Sequence, residues 1–160
     1  RGLGDVYKRQ ILTKCDGFMP LAHRNQLVDV IGGIAFINDS KATNVDATIH
    51  ALSTHKNVHL ILGGRAKEDN FYKLKNSMKN ISRIYLMGES APLIASSLEG
   101  HEAEQFDTLN NAFYSAINIA RDGDTILLSP ACASFDQYLN FEERGEHFVS
   151  LVEEYRKNII

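Results

Sequence analysis

The spacing of apolar and polar positions changes period from one segment of the chain to the next. Two short apolar runs, QLVDV and IAFIN, flank Gly32-Gly33, a pattern that predicts a β-hairpin closed by a two-residue turn. Over about 44–55 the period lengthens: Val45, Ile49 and Leu52 share one stripe of a helix. VHLILGG, 58–64, is a continuous apolar run ended by glycines, as expected of a strand covered on both faces. A polar loop then leads to a helix predicted near 70–79. RIYLMG, 83–88, reads as a strand, 90–98 as a short helix and EAEQF, 102–106, as a weaker strand. Leu109, Ala112, Phe113, Ala116, Ile117 and Ala120 repeat at helical spacing over 108–121, and Asp122-Gly123-Asp124 stops that helix. TILLS, 125–129, is the last predicted strand, and Phe148, Leu151, Val152 and Tyr155 mark a final helix.

Strands alternating with helices predict an α/β fold: a Rossmann-like, mostly parallel sheet with helices on both faces, preceded by a β-hairpin. In such sheets, ligands bind outside the carboxyl ends of the strands. Three loops expected at that edge are rich in chemistry: 38–44, 63–70 and 129–136.

Bulk composition narrows the function classes. A length of 160 residues suits one domain with a real core. A formal charge of −3 and no Lys/Arg cluster argue against a nucleic-acid partner. No apolar run approaches the ~20 residues a membrane span needs, and no secretory leader is recognisable. Cys15 and Cys132 lie far apart without a C-x-x-C spacing, so neither a disulfide framework nor a zinc site is expected, and a reducing cytoplasm is the default. The opening RGLGDVYKRQ resembles the translation of a sequencing adaptor. Residues 1–10 are therefore set apart as a non-native scar and 11–160 taken as the domain, with the native chain expected to continue upstream.

Each loop also has a purely structural reading. Ser40 or Thr43 can cap the helix that follows, and Asp39 and Lys41 can pair in solvent. Gly63-Gly64 allow a sharp turn, with Arg65 and Lys67 adding positive charge; this is neither a dinucleotide fingerprint nor a phosphate-cradling P-loop. Ser134 and Gln137 fit a capping box. Cys132, between alanines, reads as packing rather than as a nucleophile. His50, His55 and His59 straddle a helix end and a strand and are not expected to share a metal.

Taken together, the segments carry more. HR at 23–24, INDSKATN at 37–44, LGG-x-x-K at 62–67, and LLSPACASFDQ with NFEERGEHF at 127–148 resemble the Mur ligase family, specifically the carboxy-terminal domain of the members that add D-glutamate to UDP-MurNAc-L-alanine. The likeness covers about residues 11–160. It implies a three-domain, ATP-dependent ligase of peptidoglycan precursor synthesis. ATP phosphorylates a carboxylate, and the amine of D-glutamate attacks the acyl phosphate. ATP and Mg2+ are held mainly by a central domain that this chain lacks. By the matching motifs, Arg24 and Asp39 would contact the nucleotide, Asp39 through ribose hydroxyls. Lys41, Thr43, Lys67, Ser134, Phe135 and Phe141 would form the D-glutamate pocket, with His23 at its edge. No residue here is expected to be catalytic, and the fragment alone should be inactive.

Two departures from the family pattern stand out. Pro20 and Ala22 replace Gly and Pro in the segment Phe18–Arg24, which implies a differently shaped hinge, and Arg65 replaces the acidic residue often seen after the double glycine. The alternatives are a free-standing α/β module that binds an acidic small molecule, and a sister ligase for a diamino acid.

Overall fold

The computed structural model describes residues 21–159. The adaptor-like segment, Cys15 and the Phe18–Pro20 part of the expected hinge lie outside them.

A six-stranded sheet runs in the order β1-β2-β6-β3-β4-β5. β1 (Gln26–Ile31) and β2 (Ile34–Asn38) form the predicted hairpin, antiparallel through Gly32–Gly33, with a register shift between Leu27 and Asp29. β3 (Val58–Gly63), β4 (Ile81–Met87), β5 (Ala103–Phe106) and β6 (Thr125–Leu128) all run parallel to β2. The last strand of the chain is thus wedged between the second and the third.

Neighbouring residues on a strand point to opposite faces, and the two cores follow this parity. Leu60, Leu62, Ile84, Leu86 and Leu127 pack on one face under α1 (Val45–Leu52) and α2 (Ala91–Ser97). Ile61, Tyr85, Met87, Ile126 and Leu128 pack on the other under α3 (Leu109–Ile119) and α4 (Phe141–Asn158). Helices on both faces and a mostly parallel sheet are what the pattern predicts.

Three details sharpen or correct the sequence reading. The helix predicted near 70–79 is a 3-10 helix, Phe71–Asn80. It buries Phe71, Leu74 and Ser77, a strict three-residue step that matches three residues per turn. The cap of α1 is Asn44, whose side chain accepts the Ala47 N–H at 2.8 Å, rather than Ser40 or Thr43. Ser134 and Gln137 make a turn and no capping box. The Ser134 carbonyl accepts the Gln137 and Tyr138 N–H groups, and the Gln137 amide donates to the Asp107 carbonyl. The capping pair lies further on: Asn140 accepts from the Glu143 N–H at 2.8 Å, and the Glu143 carboxylate accepts the Leu139 N–H at 2.7 Å.

Candidate functional site at the carboxyl edge of the sheet

The loops that follow β2, β6 and β3 leave three adjacent strands, so their meeting is a consequence of strand order. Backbone bonds stitch them together. Asp39 N–H donates to Leu128 O at 2.8 Å, and Gly63 N–H to Pro130 O at 2.9 Å. Arg65 and Ala133 exchange N–H···O bonds of 2.8 and 3.0 Å, a short antiparallel bridge between the second and third loops. Gly64 makes that bridge possible: its φ is +139°, and a Cβ would sit 2.4 Å from Ala133 O.

A buried scaffold holds the first loop. Asn38 caps it from within, its Oδ1 accepting the Ser40 N–H at 3.1 Å, while its Nδ2 lies 3.0 Å from His23 Nδ1. Arg144, 1% exposed, reaches from α4 beneath both the first and third loops. Its guanidinium donates to Ser40 Oγ (2.9 Å), Ser40 O (2.8 Å) and Cys132 O (3.0 Å). Ser40 Oγ in turn donates a hydrogen bond to Phe141 O at 2.7 Å. Desolvation pulls the Arg144 pKa down to about 10, still well above neutrality, so the buried group is a cation. The adjacent Gly145 has no side chain where His23 sits: a Cβ there would lie 2.1 Å from His23 Nδ1.

On this scaffold the expected site residues fall into two groups joined by the 39–44 loop. Thr43 and Lys67 line one cavity with Asn44, Val45, Glu68, Asn70, Phe71 and Ala131, so all three loops contribute to its wall. Lys41, Phe141 and His23 form the second group. Lys41 Nζ stands 5.9 Å over the Phe141 ring, His23 meets that ring edge-on at 6.3 Å, and Lys41 N–H donates to His23 O at 3.0 Å. Ser134 is 2% exposed and does not line the cavity, which its loop reaches through Ala131; Phe135 is 59% exposed. Lys41 and Asp39 do not pair. Arg65 instead pairs with Glu89 at 3.0 Å in solvent.

Comparison with known proteins decides what this rim belongs to. Residues 23–132 match the family model "Mur ligase, glutamate ligase domain". The chain belongs to the Mur ligase family. It is 42% identical over 155 residues to the UDP-N-acetylmuramoylalanine--D-glutamate ligase of Dinoroseobacter shibae, covering 97% of this chain and 33% of that protein. It is 39% identical over 157 residues to the ligase of the same name from Pseudothermotoga lettingae, covering 95% and 36%. The chain thus spans about a third of the length of these relatives. Among solved structures, the bifunctional folylpolyglutamate synthase/dihydrofolate synthase of Yersinia pestis CO92 superposes with a TM-score of 0.60 at 20% identity, over 95% of this chain and 35% of that one. The murein peptide ligase of Psychrobacter arcticus gives 0.57 at 12% identity, over 83% and 31%. At these identities the likeness is one of fold.

In this glutamate ligase domain the nucleotide candidates Arg24 and Asp39 lie beside the Lys41 group. Arg24 is exposed. Asp39 is 5% exposed, and its carboxylate accepts the Ser129 hydroxyl at 2.7 Å and the Asn25 N–H at 2.9 Å. Burial raises its pKa above the ordinary carboxyl value, against the pull of both hydrogen bonds and of the His50 and Arg24 charges. Two of its roughly four lone-pair positions remain. Cys132 is fully buried beside Ser90 Oγ at 3.4 Å, and burial pushes its thiol up to about 11, which suits a packing role. His59 bonds Tyr85 and Asp124 on the sheet itself. Among the described residues no cluster of His, Cys, Asp and Glu could hold a metal ion, and no helix is long and apolar enough to cross a membrane.

Arg144, Gly145, Asn38 and Asn70 escaped the sequence reading. Arg144 and Gly145 stood inside a recognised motif, yet Ser40 and His23, which they meet, lie about a hundred residues away in the chain, and only the strand order brings them close.

Proposed function

We propose that this chain is the D-glutamate- and nucleotide-contacting domain of an ATP-dependent, amide-forming ligase that adds D-glutamate to UDP-MurNAc-L-alanine in peptidoglycan precursor synthesis. The observation that carries this reading is the shared cavity, which Thr43 and Lys67, from two different loops, both line. D-glutamate offers two carboxylates. Each charge-assisted bond to such a group contributes roughly 1.5–3 kcal/mol. Lys67 supplies charge and Thr43 a hydroxyl donor at the cavity, and Lys41 adds charge beside Phe141 and His23. Phe135 stands exposed at the third loop, and Ser134, buried off the cavity, supports that loop. Arg24, exposed beside Asp39, reaches the nucleotide, and Asp39 offers its remaining lone pairs to ribose hydroxyls. The domain's part in the reaction is positioning. It presents the amine to an acyl phosphate formed from ATP and the UDP-MurNAc-L-alanine carboxylate on the upstream domains of the same chain. ATP and Mg2+ are held mainly by those upstream domains, as the family resemblance implies. The reading places the enzyme in the cytoplasm, in keeping with the free thiol of Cys132.

Lys67→Ala in the full-length enzyme is expected to weaken D-glutamate affinity about tenfold or more while ATP affinity holds. Asp39→Asn is expected to do the reverse. Equal losses for both ligands in either variant would defeat the assignment. A free-standing module that binds an acidic small molecule is the second reading, favoured if the native gene begins near residue 11; ATP turnover by residues 11–160 alone would defeat the ligase-domain reading, and none is expected.

A further inference from the structure

Asp39 is fixed to the end of β6 by two consecutive residues. Its N–H donates to Leu128 O at 2.8 Å, and its Oδ2 accepts the Ser129 hydroxyl at 2.7 Å. Ser129 is the first residue past β6, fully buried, and does not line the cavity. Its hydroxyl has one proton and two acceptors within reach, Asp39 Oδ2 and, at 3.1 Å, Thr48 Oγ1. The carboxylate is both the nearer and the charged acceptor, so the proton goes to it. Thr48, buried on α1, commits its own proton to Ser129 O at 3.2 Å. Thr48 thus holds the Ser129 backbone, and Ser129 holds the carboxylate. The other oxygen, Oδ1, accepts the Asn25 N–H at 2.9 Å. One donor on each oxygen sets the carboxylate plane and leaves a lone pair open on each. Burial pushes the Asp39 carboxyl up, and the Ser129 bond is the strongest of the influences that pull it back toward the ionised form.

We propose that Ser129 is a positioning residue for nucleotide binding, its hydroxyl holding the Asp39 carboxylate in the orientation from which the open lone pairs meet the ribose hydroxyls. This inference rests on the nucleotide reading of Asp39. Ser129 touches no ligand itself, and its influence passes through the carboxylate. Without the hydroxyl, Oδ2 loses its buried donor. The carboxylate then turns away toward another donor or takes up a proton, and both changes reduce what it offers to a ribose. The cavity lined by Thr43 and Lys67 includes none of Asn25, Asp39, Thr48 and Ser129, so the loss falls on one substrate and spares the other. Thr48 marks the difference between positioning and mere packing. Its hydroxyl belongs to the same buried cluster, but its proton goes to a backbone carbonyl and not to Asp39.

The test uses the full-length enzyme and steady-state kinetics in ATP and in D-glutamate. Ser129→Ala is expected to raise KM for ATP about fivefold, with KM for D-glutamate within about twofold of the parent. Thr48→Val removes a buried hydroxyl from the same cluster and should leave KM for ATP within about twofold, although it lowers the melting temperature as Ser129→Ala does. In an Asp39→Asn background, Ser129→Ala should add less than about twofold to KM for ATP, because the two side chains act as one unit. An unchanged KM for ATP in Ser129→Ala, an equal rise for both substrates, or an equal rise in Thr48→Val overturns the role of Ser129. So does a full fivefold addition in the Asp39→Asn background. Should Ser129→Ala not fold, Ser129→Cys, whose S–H is a weak donor, is held to the same outcomes. Asp39→Asn separates the two levels. If it raises KM for ATP while Ser129→Ala does not, only the Ser129 inference falls; if it too leaves KM unchanged, the nucleotide reading of Asp39 itself fails.

Discussion

The two edges of the sheet use polar residues in opposite ways. At the amino edge, His59 is 3% exposed and closed into a circuit: Nδ1 is 2.9 Å from the Tyr85 hydroxyl and Nε2 is 3.0 Å from Asp124 Oδ2, which also accepts the Arg121 N–H at 2.9 Å. Tyr85 is pushed up to about 12 by burial and keeps its proton for this network. These groups satisfy one another, with His59 buried and Asp124 partly exposed. At the carboxyl edge the buried members, Asn38, Ser40 and Arg144, bond mainly to loop backbone, and the charges they support, Lys41, Lys67 and Arg24, stand exposed. A closed polar circuit locks a register, whereas a scaffold of backbone bonds beneath free charges is suited to receiving a ligand.

Breaking Arg144 should have the largest effect. Arg144→Met leaves the Ser40 and Cys132 carbonyls buried without donors and is expected to lower stability by about 3–5 kcal/mol, read by urea unfolding. A loss under about 1 kcal/mol would mean that the loops hold themselves. His59→Leu at the other edge should cost about 1–3 kcal/mol of stability and leave D-glutamate and ATP affinities of the full-length enzyme unchanged. Any loss of affinity there would erase the contrast between the edges. Gly145→Ala is expected to change stability by about 1 kcal/mol at most, since a better helix former offsets the steric cost. It should nonetheless expel the His23 ring from Asn38, visible as displaced His23 ring resonances in NMR spectra. The smallest effect at neutral pH is that of Cys132. Its folded-state pKa of about 11 lies above the ordinary 9.0, so the folded protein holds this proton more tightly than the unfolded chain does. The associated stability is complete below pH 9 and lost as pH rises through 11. Unfolding titrations of Cys132→Ala should show a shallower decline across that window.

Much of this was legible in the sequence because it is local. Leu109 through Ala116 announce α3 by period, and the VHLILGG run announces a strand covered on both faces. The motif-bearing loops fall at the strand ends, where Thr43 and Lys67 meet. What stayed hidden depends on distance or on subtle spacing. The step of three from Phe71 to Leu74 to Ser77 resembles one face of an α-helix until the missing fourth-position contacts are noticed. Asn44, rather than the hydroxyl residues before it, caps α1 because Ser40 is already committed to Phe141 O and Arg144. Nothing near Arg144 or Gly145 in the chain names Ser40 or His23 as the other half of the contact.

The placement of β6 also bears on how the molecule comes into being. Residues 125–128 are synthesised after the other five strands of the sheet, yet they fill the gap between β2 and β3 on which every loop of the rim depends. Until they emerge, the nascent chain has two unjoined half-sheets with bare strand edges. A protein cut short before Thr125 would lose the whole grip at once rather than by degrees, so competence to hold a ligand doubles as proof that synthesis passed β6.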